Sequence, residues 1–200
     1  MSANSTNVDG LPSSQSTELD SSPGLFSVSL WHNVTIVCWP MPACEESVRR
    51  VEAATTTLLS GGLTSFSNLH LVQESSGMPT DRARAGLVEM AERYAPALSC
   101  IGVALLGSGF WASARQSAVT GMRMQSPRSV AFRVERSLEA IAEWLPAEHV
   151  ARTGVPIDGR ELLATMTQAL ERTMQAARRA EATPTHQSIP SERPSGRTLK

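Results

Sequence analysis

Charge of one sign is what this sequence has least of. Eighteen Lys and Arg against 19 Asp and Glu leave a net charge of −1 over 200 residues. Such a balance gives no electrostatic footprint for nucleic acid or for an anionic membrane surface. Cysteine is scarce and odd in number, at 3. Cys38 and Cys100 fall in apolar, strand-like runs and Cys44 stands alone, which predicts reduced thiols in a cytoplasmic protein rather than a disulfide framework. No apolar run reaches the length of a membrane span. No basic segment followed by an apolar stretch is present, so no secretory leader is expected. His32, His70, His149 and His186 have no metal-ligand spacing with one another or with the cysteines, so neither a metal nor a cofactor is expected. A Gly-x-Ser-x-Gly elbow is missing. No grouping of residues commits to a reaction, and the expectation is a protein that is not an enzyme.

What is present is concentrated in the middle. The apolar fraction is 41%, diluted by two polar ends. Residues 1–24 and 183–200 are rich in Ser, Thr and Pro and poor in large apolar groups; both are expected to be disordered arms, because they cannot offset the entropy of ordering. Residues 25–146 are expected to form one α/β domain, and residues 147–182 a linker and a C-terminal helix.

The chain is organised around residues 98–121. Residues 98–106 form a nearly continuous apolar run without charge, the signature of a strand buried on both faces. Gly107-Ser108-Gly109 stops it. Phe110, Ala114, Ala118 and Met122 then recur at helical spacing, and Gly121 ends that helix or thins it where another element comes close. Upstream, Phe26, Val28 and Leu30 alternate with Ser27 and Ser29, and residues 34–39 are β-branched and aromatic. His32-Asn33 between them predicts a tight hairpin, with Asn33 taking the positive φ. Residues 43–60 are predicted as a helix, 66–73 as a strand, and 81–96 as a second helix capped by Thr80 or Asp81. Residues 129–134 form a short strand. A helix follows from Ser137, with Pro146 bending or ending it. The last helix, 158–182, carries Leu162, Leu163, Met166, Leu170 and Met174 on one side. It needs a surface, its own domain or a second subunit; monomer and homodimer through this helix both stay open. The order ββαβαβαβα plus one helix predicts a mixed sheet of about five strands, an antiparallel hairpin followed by largely parallel pairing.

That order resembles the STAS domain, the fold of anti-sigma-factor antagonists. The second half carries the closest likeness: a buried strand ending Leu106-Gly107, a helix with Arg115 closing on Thr120-Gly121-Met122, then Phe132-Arg133-Val134 and Ser137-Leu138-Glu139-Ala140-Ile141. The resemblance spans residues 25–145 and implies a regulatory, non-enzymatic adaptor with a protein partner, such as a kinase or an anti-sigma-like protein. In the family a serine or threonine at the start of the second helix is phosphorylated, and the added charge blocks binding. Here the matching position falls on Thr80-Asp81-Arg82-Ala83, with no serine. Thr80 and, in the loop sequence Glu74-Ser75-Ser76-Gly77, Ser76 are candidate phosphorylation sites; a helix cap and a polar loop are their ordinary readings. Asp81 could stand as a fixed negative charge. Asp81, Arg82, Arg84 and Leu87 are the candidate partner-binding residues.

A second function stays open. Gly107, Ser108, Gly109 and Trp111 could line a pocket for a nucleotide or lipid-like ligand, although the turn lacks the lysine of a P-loop. A tight structural turn and a packed Trp111 are the plainer readings.

Overall fold

The computed structural model describes residues 16–107 and 110–182, without the side chains of residues 110–113 and 115. Residues 1–15 and 183–200, expected as disordered arms, lie outside the described residues. So do Ser108, Gly109 and the side chain of Trp111.

The chain runs β1 (Thr17–Ser22), β2 (Phe26–Trp31), β3 (Val34–Trp39), α1 (Glu45–Ser60), β4 (Phe66–Val72), α2 (Asp81–Tyr94), β5 (Leu98–Leu105), α3 (Phe110–Gln125), β6 (Ala131–Glu135), α4 (Leu138–Thr153) and α5 (Gly159–Ala182). The strands form one sheet in chain order, β1-β2-β3-β4-β5-β6. β1, β2 and β3 pair antiparallel; β3 to β6 pair parallel. The α/β class and the mixed sheet are as the sequence predicts, with six strands in place of five. Helices α1, α2 and α3 cover one face of the sheet and α4 and α5 the other. Among the described residues no helix is long and apolar enough to cross a membrane.

The extra strand, β1, lies in the stretch expected to be disordered. Its own apolar content is Leu19, so burial alone does not hold it. Arg50 of α1 does: its Nε donates to Asp20 Oδ2 at 2.9 Å, its Nη2 donates to the Ser21 carbonyl at 2.9 Å, and its guanidinium lies 4.9 Å from the centre of the Phe26 ring. A bidentate, part-buried pair of this kind is stronger than an exposed one. Ser22-Pro23-Gly24-Leu25 closes the β1–β2 turn, with Gly24 at φ 81° and Leu25 N–H donating to Ser22 O at 2.9 Å. That is a turn with Pro and Gly in the two positions that favour them. At the next hairpin the positive φ falls on His32, at 51°, and not on Asn33.

Every residue of β3 is buried, as are nearly all of β4 and β5. On the α4–α5 face Trp31, Ile36, Leu69 and Leu71 meet Ile141, Leu145, Leu162 and Met166. Each such side chain contributes roughly 1.5–3 kcal/mol by leaving water. α5 therefore packs on its own domain. Its buried stripe is Leu162, Thr165, Met166, Ala169, Leu170 and Thr173, while Met174 is exposed. That stripe is rotated from the predicted one, because small and hydroxylated residues let the helix approach the sheet; Thr173 Oγ1 and Ser27 Oγ share a hydrogen bond of 2.6 Å.

Pro146 neither ends nor replaces a turn of α4, which runs through it to Thr153. The proline cannot donate to the carbonyl of Ala142. The start of α5 closes on that carbonyl instead: a Cβ at Gly159 would stand 2.7 Å from Ala142 O. Glycine is required there by contact, not by φ. Alanine in place of glycine at an accessible helical position normally stabilises by about 1 kcal/mol. Here Gly159→Ala is expected to have the opposite sign and destabilise by about 1–3 kcal/mol, measured by urea unfolding.

Candidate functional site

The loops at the carboxyl ends of β3, β4 and β5 are tied into one surface. The β4–α2 loop bonds to the β3–α1 loop at three points. Ser75 Oγ donates to Pro40 O at 3.2 Å, Ser76 Oγ to Met41 O at 3.0 Å, and Thr80 N–H to Ala43 O at 3.1 Å. Gly107, at φ 103°, lies against Glu74, where a Cβ would come within 2.5 Å of Glu74 Cγ. Both the left-handed backbone and the contact demand glycine.

This surface gathers most of the residues singled out in the sequence, but they do different work. Thr80 caps α2, its hydroxyl accepting from Ala83 N–H at 3.1 Å. Asp81 is therefore not the cap; it sits one residue later, with 92% of its side chain exposed, and pairs with Arg84. Arg82 is 84% exposed, and its Nη1 lies 3.3 Å from Glu45 Oε2 of α1. Leu87 points the other way, half-buried against the core formed by β2, β3 and α1. Ser76 is 4% exposed, so its hydroxyl is not reachable without opening the loop, whereas Thr80 is exposed. Among the described residues no three His, Cys, Asp or Glu are placed to hold a metal ion.

Beneath α2, between the helices and the sheet, lies a partly open cavity of about 90 Å³. One water needs roughly 10–15 Å³ on that scale, so several would fit, or part of a larger molecule. It is lined by Leu87, Met90 and Tyr94 of α2 and reaches Leu105 and Val119, toward the glycine turn. Its walls are mostly aliphatic and aromatic, and among the described residues no Asp, Glu, Lys or Arg lines it. Two polar side chains of β4 do: Asn68 and His70, which alternate onto one face of the strand. Asn68 is 3% exposed and His70 8%. The Asn68 side-chain oxygen accepts from Thr35 Oγ1 at 3.1 Å. The indole of Trp39, a donor only, bonds to His70 Nδ1 at 3.1 Å and stacks on the ring at an interplanar angle of 9°. His70 therefore accepts at Nδ1 and carries its hydrogen on Nε2. Burial lowers its pKa to about 4.

The opposite face holds a second polar cluster. His149 of α4 bonds through Nδ1 to Ser67 Oγ at 2.7 Å and through Nε2 to Asn33 Oδ1 at 2.7 Å, while Asn33 Nδ2 donates to Ser65 O at 3.2 Å. Asn33 Oδ1 can only accept, so Nε2 carries the hydrogen and the Ser67 hydroxyl donates to Nδ1. The order Ser, His, Asn resembles a nucleophilic relay. Yet Ser67 and His149 are both 0% exposed, so no substrate atom reaches the hydroxyl in this structure. The three residues pin α4 to the sheet. Burial, and secondarily the charge of His32, lowers the His149 pKa to about 4.

Comparison with models of known protein families and with curated proteins gives no match to this chain.

Two histidines buried in the neutral form make the fold sensitive to acid. Their folded pKa lies below the unfolded value near 6.5, so the unfolded chain binds more protons between pH 6.5 and pH 4. The penalty is absent above pH 6.5 and grows as the pH falls toward 4. Each histidine is expected to cost about 1.4 kcal/mol per pH unit within that window. Urea unfolding at pH 7.5 and pH 5 should reveal the loss. A His149→Gln variant should show about half the slope contributed by the pair.

Proposed function

We propose that this chain is a non-enzymatic regulatory module of STAS-like fold, acting in the cytoplasm, that binds a protein partner at the amino-terminal end of α2. Support comes first from architecture. A leading hairpin and sequential parallel crossovers place the start of α2 at the carboxyl edge of the sheet, beside two other loops. In open α/β sheets that edge is where binding residues collect. Here the strand order never reverses, so the edge has no crevice between diverging crossovers. It favours a flat contact with a protein.

The observation that carries this reading is a fixed backbone bearing exposed side chains. Loop-to-loop hydrogen bonds hold the segment before α2, while Asp81, Arg82 and the 47%-exposed Met41 face solvent there. A surface of this kind loses little entropy on docking. Thr80 is the favoured modification site: it is accessible, and a phosphate on it would sit against the positive end of the α2 dipole. A kinase or an anti-sigma-like protein is the class of partner that the STAS likeness implies. A second reading, a small-molecule sensor, draws on the cavity beneath α2.

Leu87 is set aside as a test position, since replacing it would disturb packing. The informative variant is Asp81→Arg with Arg82→Glu, which reverses both exposed charges. Against the purified partner captured by the wild-type chain, it should weaken binding at least tenfold and leave unfolding free energy within about 0.5 kcal/mol. Unchanged affinity in that variant would place the contact elsewhere.

A further inference from the structure

We propose that the cavity beneath α2 is a binding site for an uncharged, largely apolar molecule carrying a carbonyl group, which accepts hydrogen bonds from Asn68 and His70. The polar groups come first. Among the described residues, the Asn68 side chain takes part in one hydrogen bond, at its oxygen, and the His70 ring in one, at Nδ1. The amide hydrogens of Asn68 and the Nε2 hydrogen of His70 then remain as donors. Both side chains are more than nine-tenths buried and both line the cavity. Donors that face such a space are satisfied by water or by an acceptor on a ligand, because leaving one unpaired would cost roughly 1–3 kcal/mol. A sheet face covered by helices is ordinarily apolar throughout; here two adjacent same-face positions of a central strand are not.

The chemistry of the surroundings then selects the ligand. The two side chains offer donors, so the ligand supplies an acceptor. Among the described residues no charged side chain lines the cavity, so an anion there would be desolvated without a partner among them. Burial also keeps His70 neutral near pH 7, so it supplies no compensating positive charge. A carboxylate or a phosphate is thus disfavoured, and a neutral amide, ester or ketone fits. Walls formed by residues such as Phe66, Leu87, Ile101 and Val103 suit an aliphatic or flat aromatic body. Because α2 roofs the cavity, the site lies directly beneath the surface proposed for the protein partner, but it stands or falls independently of that contact.

Octanamide and octanoate, one chain with a neutral and an ionised head, are suitable probes, with ATP as a phosphate-bearing control. Each is titrated into the full chain at pH 7.5, followed by tryptophan fluorescence and by the ¹⁵N signals of the His70 ring and the Asn68 side chain. Octanamide should bind saturably, shift both sets of signals, and bind at least tenfold tighter than octanoate; ATP should leave them unmoved. Asn68→Leu and His70→Phe should each weaken octanamide at least tenfold. Asn68→Leu should melt at the same or a higher temperature, because it removes a buried donor while Thr35 Oγ1 keeps the Ser67 carbonyl at 3.3 Å. If His70→Phe does not fold, Asn68→Leu decides alone. The proposal is overturned if octanamide fails to bind up to its solubility limit, if octanoate or ATP matches it at these signals, or if Asn68→Leu binds it as wild type does.

Discussion

The rest of this structure depends on the double burial of its central strands. β3, β4 and β5 present apolar side chains to both faces, and a sheet of that kind is stable only as the middle of a three-layer stack. The parallel crossovers supply one layer automatically, since right-handed connections in unreversed order put α1, α2 and α3 on the same side. The other layer has to come from chain beyond the last strand. That is why α4 and α5 belong to the core, and why the apolar stripe of α5 is consumed within the molecule.

The two faces are finished differently. On the α4–α5 side every group of the Asn33–His149–Ser67 cluster has a partner, and the apolar contacts are continuous. A satisfied buried network fixes position more than it adds stability. On the α1–α3 side a cavity persists, and polar side chains of β4 border it. Close packing is the norm in protein interiors, so the contrast assigns rigidity to one face and adaptability to the other. Both functional proposals fall on the second face and its carboxyl edge.

Much of this was legible in the sequence because it follows from burial and period. The uncharged run 98–106 reads as a buried strand because Gly107-Ser108-Gly109 stops it after a strand's length, where a buried helix would otherwise read alike, and the alternation around Phe26 reads as a half-buried strand. What escaped was set by single tertiary contacts. β1 has one large apolar residue, and its order comes from Arg50, 30 positions away; Pro23-Gly24 was the local clue that the chain turns there. Pro146 stops helices in general, yet here α5 closes on the freed carbonyl. Of the residues singled out on α2, Asp81 and Arg82 are exposed, whereas Leu87 shares the helix without sharing its outer face. A pocket was expected at Gly107, Ser108, Gly109 and Trp111, the last three of which lie outside the described residues or side chains, whereas the cavity described here is lined in part by α2. Its signal was present as Asn68 and His70, two polar residues spaced by two inside a strand otherwise fit for the core.

The Arg50 clamp has one further consequence. β2 carries Phe26 and Val28 and, without β1 beside it, would offer an open row of main-chain donors and acceptors to any extended segment nearby. β1 is short and polar, paired to β2 and clamped by Arg50, so it acts as a bung on the sheet's vulnerable rim. Proteolytic trimming back to Pro23 would therefore bare β2 as a template for strand exchange between copies.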